Sequence, residues 1–384
     1  MSFCKVPRFR LYFPRIFLRL LKFVLGKKIN SNKYISVFNK QVAKFIGKKY
    51  CLSLGSGTLA LYESLKALNI PKGKKVIISA FNVPEVVEVI RELNLEPVFV
   101  DIKKDSFNMD ENLIEKQITN DVKAIILTPL FGEVMNITKI KNLAKKHDLI
   151  IIEDCAQVFG SKYMGKRIGS FGDISIGSMG LVKNINCLGG GFILTDNKNI
   201  YDAISLNTFK YKNPSSVSIF SRLATVYFFS FLTSPLIFSF LTYYVLWLLK
   251  FLKFSFFEKL FDFKEFDLKK YTYNFSNLQA VIGLEQLKLV DKYNEKRVFI
   301  ANLYSKQLNK KPLNSIYTHY AIKVNNRNGI LMNLFKKGID TSQGYIKNVS
   351  SNCSLAKEAE KKTLYLPIHN LTNKEVKKIV NFFD

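Results

Sequence analysis

The chain has 384 residues, 48% of them hydrophobic, and a formal net charge of +28. That length holds two domains with a core each, and that hydrophobic content excludes a disordered protein. Five scattered cysteines without a CxxC pair, and only three histidines, argue against a disulfide framework or any metal site and for a reducing, cytoplasmic location.

In chain order, the basic charge comes first. Residues 1–50 carry thirteen Lys or Arg and no acid; the first carboxylate is Glu63. Arg15, Arg19 and Lys22 recur at helical spacing among Ile16, Phe17, Leu18, Leu20, Leu21, Phe23 and Leu25. That pattern predicts a basic amphipathic helix able to lie on an anionic membrane surface. It is a poor signal peptide, because Arg19 and Lys22 interrupt the apolar region and no small-residue cleavage site follows. Nucleic acid is disfavoured as the partner, since phosphate contacts alone do not require an apolar face between the basic residues.

A strand-turn-helix follows over Tyr50 to Leu68, with Gly55-Ser56-Gly57-Thr58 opening a helix whose apolar face continues through Leu61, Leu65 and Leu68. Backbone N–H groups and the dipole at such a start suit a phosphate, although the same turn is also an ordinary helix cap. Strands are then expected at Lys75–Ala80, Glu96–Asp101, Val122–Leu127, Leu149–Glu153, Asp173–Ser178 and Phe192–Thr195. Helices are expected between them at Pro84–Asn94 and Ile137–Lys146. This alternation predicts a mostly parallel sheet covered on both faces, with ligands at the carboxyl ends of its strands.

The stretch from Ile151 to Thr195 carries the chemistry. An apolar strand ends in Glu153-Asp154; Gln157, Ser178 and Lys183 follow, ahead of a Gly-rich turn. An acid at a strand's end can keep a pyridine nitrogen protonated, and a lysine beyond the next strand can form a Schiff base, as a pyridoxal phosphate enzyme requires.

From Leu223 to Leu249 twenty-seven residues pass without a charge, between Arg222 and Lys250. The run is long enough for a membrane span, but a single pass would separate two halves of one catalytic unit. Thr233-Ser234-Pro235 breaks it near the middle. A shallow re-entrant hairpin, or helices lying in the interface, is therefore expected, flanked by Phe251 to Phe266, where Phe is interleaved with Lys, Glu and Asp. The alternative is that these segments bury against each other or a dimer partner.

The order of motifs resembles the DegT/DnrJ/EryC1/StrS family of sugar aminotransferases. The matching pieces are Ser56-Gly57-Thr58, Pro97-Val98-Phe99-Val100-Asp101, Glu153-Asp154-Cys155-Ala156-Gln157, Gly165 to Asp173, and Ser178 five residues before Lys183-Asn184. Leu278-Gln279-Ala280 to Leu287, Arg297 to Tyr304 and Leu366-Pro367 continue it, so that it covers about residues 38–210 and 270–384. The resemblance implies a fold-type I pyridoxal phosphate transferase: a three-layer α/β/α large domain and a smaller C-terminal α/β domain, here with a hydrophobic helical insert. The segments would be 1–37 (membrane-surface arm), 38–213 (cofactor-binding domain), 214–266 (insert) and 267–384 (small domain).

The resemblance also implies roles. Lys183 would link to pyridoxal 5′-phosphate and shuttle a proton, Asp154 would pair with the pyridinium nitrogen, and Gln157 would bond near the phenolic oxygen. Gly57, Thr58 and Ser178 would hold the phosphate. The implied reaction moves an amino group, from glutamate, to a keto-sugar on a nucleotide or lipid carrier, in a homodimer at the cytoplasmic face of the membrane. The family's dehydratase branch has histidine in place of the lysine, and Lys183 argues against that chemistry. Several positions depart from the pattern: Val83 stands where an aromatic covers the cofactor ring, the turn after Lys183 reads Leu188-Gly189-Gly190-Gly191 without the usual acid before its glycines, and Thr272 and Asn274 stand where Asn and Arg serve a pocket shared between subunits. These departures motivate the rival expectation of a catalytically idle membrane scaffold in a polysaccharide-assembly complex.

Overall fold

The structure is a computed structural model that describes residues 4–11, 33–252, 266–313 and 315–383. The expected basic amphipathic helix around Arg15 to Leu25, and most of the Phe251 to Phe266 flank, lie outside the described residues.

Seven strands form the main sheet: β1 (Tyr50–Leu54), β2 (Lys75–Ser79), β3 (Glu96–Val100), β4 (Val122–Leu127), β5 (Ile150–Asp154), β6 (Ile174–Ser178) and β7 (Gly191–Thr195). Their order is β1-β7-β6-β5-β4-β2-β3. The five strands from β6 to β3 pair in parallel, and β7 runs antiparallel to both its neighbours. Each strand expected from sequence is present, displaced at its ends by at most one residue. The central strands are continuous Val and Ile runs because both faces are covered. On one face lie α2 (Gly57–Ala67) and α3 (Pro84–Glu92), packing Leu59, Leu65, Val87 and Ile90 over the sheet. On the other lies α4 (Ile137–Lys146), with Ile140 and Ala144 against Ile125 and Ile151. Helix α3 ends two residues before the expected Asn94, which instead turns the chain at φ +56°.

After α5 (Lys198–Thr208) and the insert, a 31-residue helix, α8 (Asn277–Gln307), leads from one core to the next. Ser276 and Gln279 close its start in a reciprocal capping box. Its first turns pack Ala280 and Val290 with Phe38 and Val42 of α1 (Lys33–Ile46), and its last turns place Ile300, Ala301 and Tyr304 in the C-terminal core. That core is covered by the antiparallel pair β8 (Tyr320–Lys323) and β9 (Thr363–Leu366), with α9 (Arg327–Lys336), α10 (Ser354–Lys362) and α11 (Asn373–Val380). Asp101, just beyond β3, ties the two units by accepting from the Leu355 and Ala356 N–H groups at the start of α10.

Two segments attach to this frame. Residues 4–11 run along the C-terminal unit: Val6 bonds Gly338 and Asp340 through its backbone, Arg8 pairs with Asp340, and the buried Arg10 forks onto Glu375. The charge-free run forms two helices, α6 (Ser216–Leu232) and α7 (Pro235–Phe251), bent by 62° where Ser234 and Pro235 restart the chain. No single helix among the described residues is long and apolar enough to cross a membrane. One face of α6 buries Ile219, Leu223 and Val226 against Leu278, Val281 and Ile282. One face of α7 buries Phe238, Tyr243 and Leu246 against Phe335, and the Tyr243 hydroxyl donates to the Phe335 carbonyl. Arg10 donates to the Thr233 carbonyl at the bend, 2.6 Å away. The outer face leaves Phe228, Phe231, Leu236, Phe240, Trp247 and Phe251 exposed, the last by 71%.

Candidate active site

Neighbouring strand residues point to opposite faces, and Glu153 and Asp154 illustrate the consequence at the end of β5. Glu153 is buried and accepts from the N–H groups of Gly169, Phe171 and Gly172, which fixes that loop. Asp154 faces the other way, with one oxygen accepting from the Ala156 N–H at 2.9 Å. Burial raises its carboxyl above the usual carboxylate range, against the opposing pull of that N–H and of the Lys183 charge. Among the described residues no Lys or Arg forms an ion pair with Asp154. A buried carboxylate without a cation is costly unless a cationic ligand meets it.

Lys183 lies in the loop between β6 and β7, half-buried. Its Nζ is 3.0 Å from the Tyr345 hydroxyl, and Gln157 Nε2 is 2.7 Å from the same oxygen. Gln157 Oε1 is buried without a partner. Behind this group Thr318 donates to the Gln157 carbonyl and also bonds Asn184, whose amide reaches Asn294. His319 packs edge-on to Tyr345, with its ring 5.2 Å from that of His369. None of Tyr345, Thr318 and His319 was expected from sequence. They belong to the C-terminal unit, Tyr345 being 162 positions from Lys183, and no periodicity or spacing marks them.

His319 has a measurable consequence. Burial, with Lys183 and Arg297 nearby, pushes its pKa down to about 3 from a usual value of about 6.5. Below pH 6.5 the unfolded chain therefore binds a proton that the folded chain refuses. Stability is lost as pH falls from about 6.5 towards about 3, by up to about 1.4 kcal/mol per pH unit. Between pH 6.5 and 5 the His319→Asn variant is expected to lose roughly 2 kcal/mol less than the wild type. Urea midpoints at the two pH values measure the difference.

The turn expected to hold a phosphate opens α2. Ser56 caps α2 by accepting from the Leu59 N–H. Gly57 lies against Ser178: a Cβ at Gly57 would sit 3.0 Å from Ser178 Cβ, so a larger residue there would push the two apart. A Cβ at Gly191 would stand 2.4 Å from the Ser56 carbonyl, which explains why the turn after Lys183 ends in glycine. Gln279 of α8 donates to the Gly189 carbonyl and holds that turn. Thus Gly57 and Thr58 open α2 where Gly57 meets Ser178 at the end of β6, the strand that leads to Lys183, while Asp154 and Gln157 follow from the end of β5.

The off-pattern positions have local partners. Val83 precedes α3 and packs in the same cluster as Tyr345. Thr272 donates to the Leu268 carbonyl, and Asn274 to Tyr211 and Asn213. Asn274 therefore joins the two ends of the chain that brackets the hydrophobic insert.

The sequence model of the DegT/DnrJ/EryC1/StrS aminotransferase family matches residues 15–218 and 255–384. The chain belongs to the DegT/DnrJ/EryC1/StrS aminotransferase family. The unmatched residues 219–254 contain nearly all of the bent helix pair. Among its relatives, GDP-perosamine synthase of Escherichia coli O157:H7 is 30% identical over 280 residues, 73% of this chain and 64% of that protein. UDP-2-acetamido-2-deoxy-3-oxo-D-glucuronate aminotransferase of Pseudomonas aeruginosa is 34% identical over 188 residues, 49% of this chain and 51% of that one. The match therefore spans about half to two thirds of these relatives.

Solved members of similar fold include the Helicobacter pylori aminotransferase PseC, involved in pseudoaminic acid biosynthesis. It has a TM-score of 0.77 and 21% identity, over 99% of this chain and 96% of that one. The Escherichia coli GDP-4-keto-6-deoxy-D-mannose-3-dehydratase with bound hydrated pyridoxal phosphate has a TM-score of 0.78 and 18% identity, over 99% and 100%. The α/β fold is that of pyridoxal phosphate-dependent aminotransferases, as expected.

Family membership implies pyridoxal 5′-phosphate, and the residues present fit it. A buried carboxylate lacking a cation, a Gln157 side-chain amide with one polar atom buried and unpartnered, and the Lys183 amine follow the ends of β5 and β6, where Ser178 meets the Gly57 start of α2. These are the complements of a pyridinium, a phenolic oxygen, an aldehyde and a phosphate.

Proposed function

We propose that this protein transfers an amino group, from glutamate, to a keto-sugar carried on a nucleotide or lipid, in the synthesis of a cell-surface polysaccharide. The observation that carries this reading is that Lys183 and Gln157 meet on Tyr345 near the buried Asp154, with Ser178 against Gly57 at the end of the strand that leads to Lys183. The relatives, a GDP-perosamine synthase and a UDP-linked keto-sugar aminotransferase, support the substrate class.

In this reading Asp154 meets the ring nitrogen, Gln157 the phenolic oxygen, and Gly57, Thr58 and Ser178 the phosphate. Bound there, pyridoxal phosphate supplies an electron sink for the carbon that gains or loses the amino group. Lys183 takes a proton onto Nζ and returns it, so the proton that leaves the donor's carbon is delivered to the correct atom without passing through water. Burial of Asp154 keeps its charge unscreened by solvent and directed at the nitrogen. The reading includes a homodimer, as is usual in the family.

The same reading places the enzyme on the cytoplasmic face of a membrane. The outer face of α6 and α7 is aromatic and exposed, and it lies in a stretch, residues 203–257, that has no acid and five basic residues. Such a surface suits an anionic lipid interface. Incubation with glutamate and a nucleotide-linked keto-sugar tests the chemistry: 2-oxoglutarate and an amino sugar are expected in equal amounts. Absence of both across a panel of such sugars, with cofactor bound, would overturn the proposed substrate class.

A further inference from the structure

We propose that Tyr345 is the residue that holds the Lys183 amine ready, and that it supplies the aromatic group that position 83 lacks. The proposal rests on the aminotransferase reading of Lys183 but adds a residue from the other unit of the molecule.

The hydrogen-bond inventory around Tyr345 carries the argument. Its hydroxyl oxygen lies 3.0 Å from Lys183 Nζ and 2.7 Å from Gln157 Nε2. In that orientation the oxygen faces two nitrogen donors, while Gln157 Oε1 is buried without a partner. An amide's oxygen and nitrogen are assigned from their hydrogen bonds, and turning the Gln157 amide by 180° resolves both problems. The Tyr345 hydroxyl then donates to Gln157 Oε1 and accepts from Lys183 Nζ. The amide NH2 takes the position of the orphaned oxygen, from which it can donate to a ligand's phenolic oxygen. One tyrosine thereby fixes the orientation of the glutamine and the position of the amine.

The backbone delivers Tyr345 to this point. Lys347 and Asn348 pair antiparallel with Asn82 and Phe81, the residues just before Val83. Ser342 on the other side is bridged to Tyr365 of β9. The segment is thus held at both ends, and Tyr345 enters the cluster in which Val83 also packs. A small residue at 83 leaves room for the tyrosine ring, and the tyrosine brings a hydroxyl that valine could not.

The test uses the full-length protein and two readouts. In cofactor-free protein, Tyr345→Phe should raise the rate at which a small amine reagent labels Lys183 by about five- to tenfold, the worth of one hydrogen bond. Peptide mass spectrometry reads this against surface lysines, which should not change. In loaded enzyme the same variant should lower kcat about 10²-fold with little change in the KM for the keto-sugar. Tyr345→Ala should add a loss of cofactor affinity. Unchanged labelling of Lys183 and unchanged kcat in Tyr345→Phe would overturn the proposal. If the wild type takes up no cofactor, the aminotransferase reading fails instead, and the labelling readout still decides whether Tyr345 holds the amine.

Discussion

Lys183→Ala is expected to lower turnover by on the order of 10⁴-fold while leaving the unfolding midpoint within about 1 kcal/mol of the wild type. The two expectations separate because Lys183 is half-buried in a loop, and its side-chain hydrogen bond, to Tyr345, is not part of either core. In the proposed reading its amine is both the covalent attachment point and the proton carrier, so one substitution would remove two functions. Lys183→Arg should not rescue, since guanidinium keeps the charge but neither bonds an aldehyde nor gives up a proton near neutral pH. Asp154→Asn should cost about 10²–10³-fold, because it removes the charge that opposes the ring nitrogen but keeps the shape. Steady-state rates with matched urea denaturation distinguish these losses from unfolding.

Replacing Phe240, Trp247, Leu248 and Phe251 together with serine is expected to weaken binding to anionic vesicles by on the order of 10³-fold. Each side chain is about half exposed, so entering the lipid surface is worth roughly 1 kcal/mol per residue, and the four act together. The fold should survive, since α7 is held by its opposite face through Phe238, Tyr243 and Leu246. Binding to zwitterionic vesicles should be weaker and binding to anionic ones should fall with salt, as the five basic residues and no acid of residues 203–257 require. Sedimentation of wild type and variant with vesicles measures this. Failure of the wild type to bind, with larger oligomers that the variant loses, would show that the face meets a second copy instead of lipid.

The sequence made the sheet legible because its strands are long apolar runs bounded by turn residues, and burial on both faces leaves little freedom in where they end. The break between the two apolar helices was equally legible, as Ser234-Pro235 can restart a helix but not continue one. The Asp154–Lys183 stretch could be read because its residues sit on consecutive strands and the sheet gathers their ends. Glu153 shows the limit: beside Asp154 in sequence, it faces away and fixes the 169–172 loop instead. Tyr345 and His319 were not legible, because their place depends on how the C-terminal unit closes over the sheet and not on any local pattern. The attachment of Arg8 and Arg10 to Asp340 and Glu375 was hidden for the same reason, since a run of basic residues reads as solvated until its distant acids are known.

The central claim is that Lys183, Asp154 and Gln157 form a working pyridoxal phosphate site despite the altered positions 83, 272 and 274. One visible absorption spectrum of the purified protein, before and after glutamate, tests it most directly. A visible band that changes when glutamate is added, and that is missing from Lys183→Ala, is the predicted result. A colourless protein that takes up no added pyridoxal phosphate would contradict the claim and leave a membrane-bound scaffold in its place.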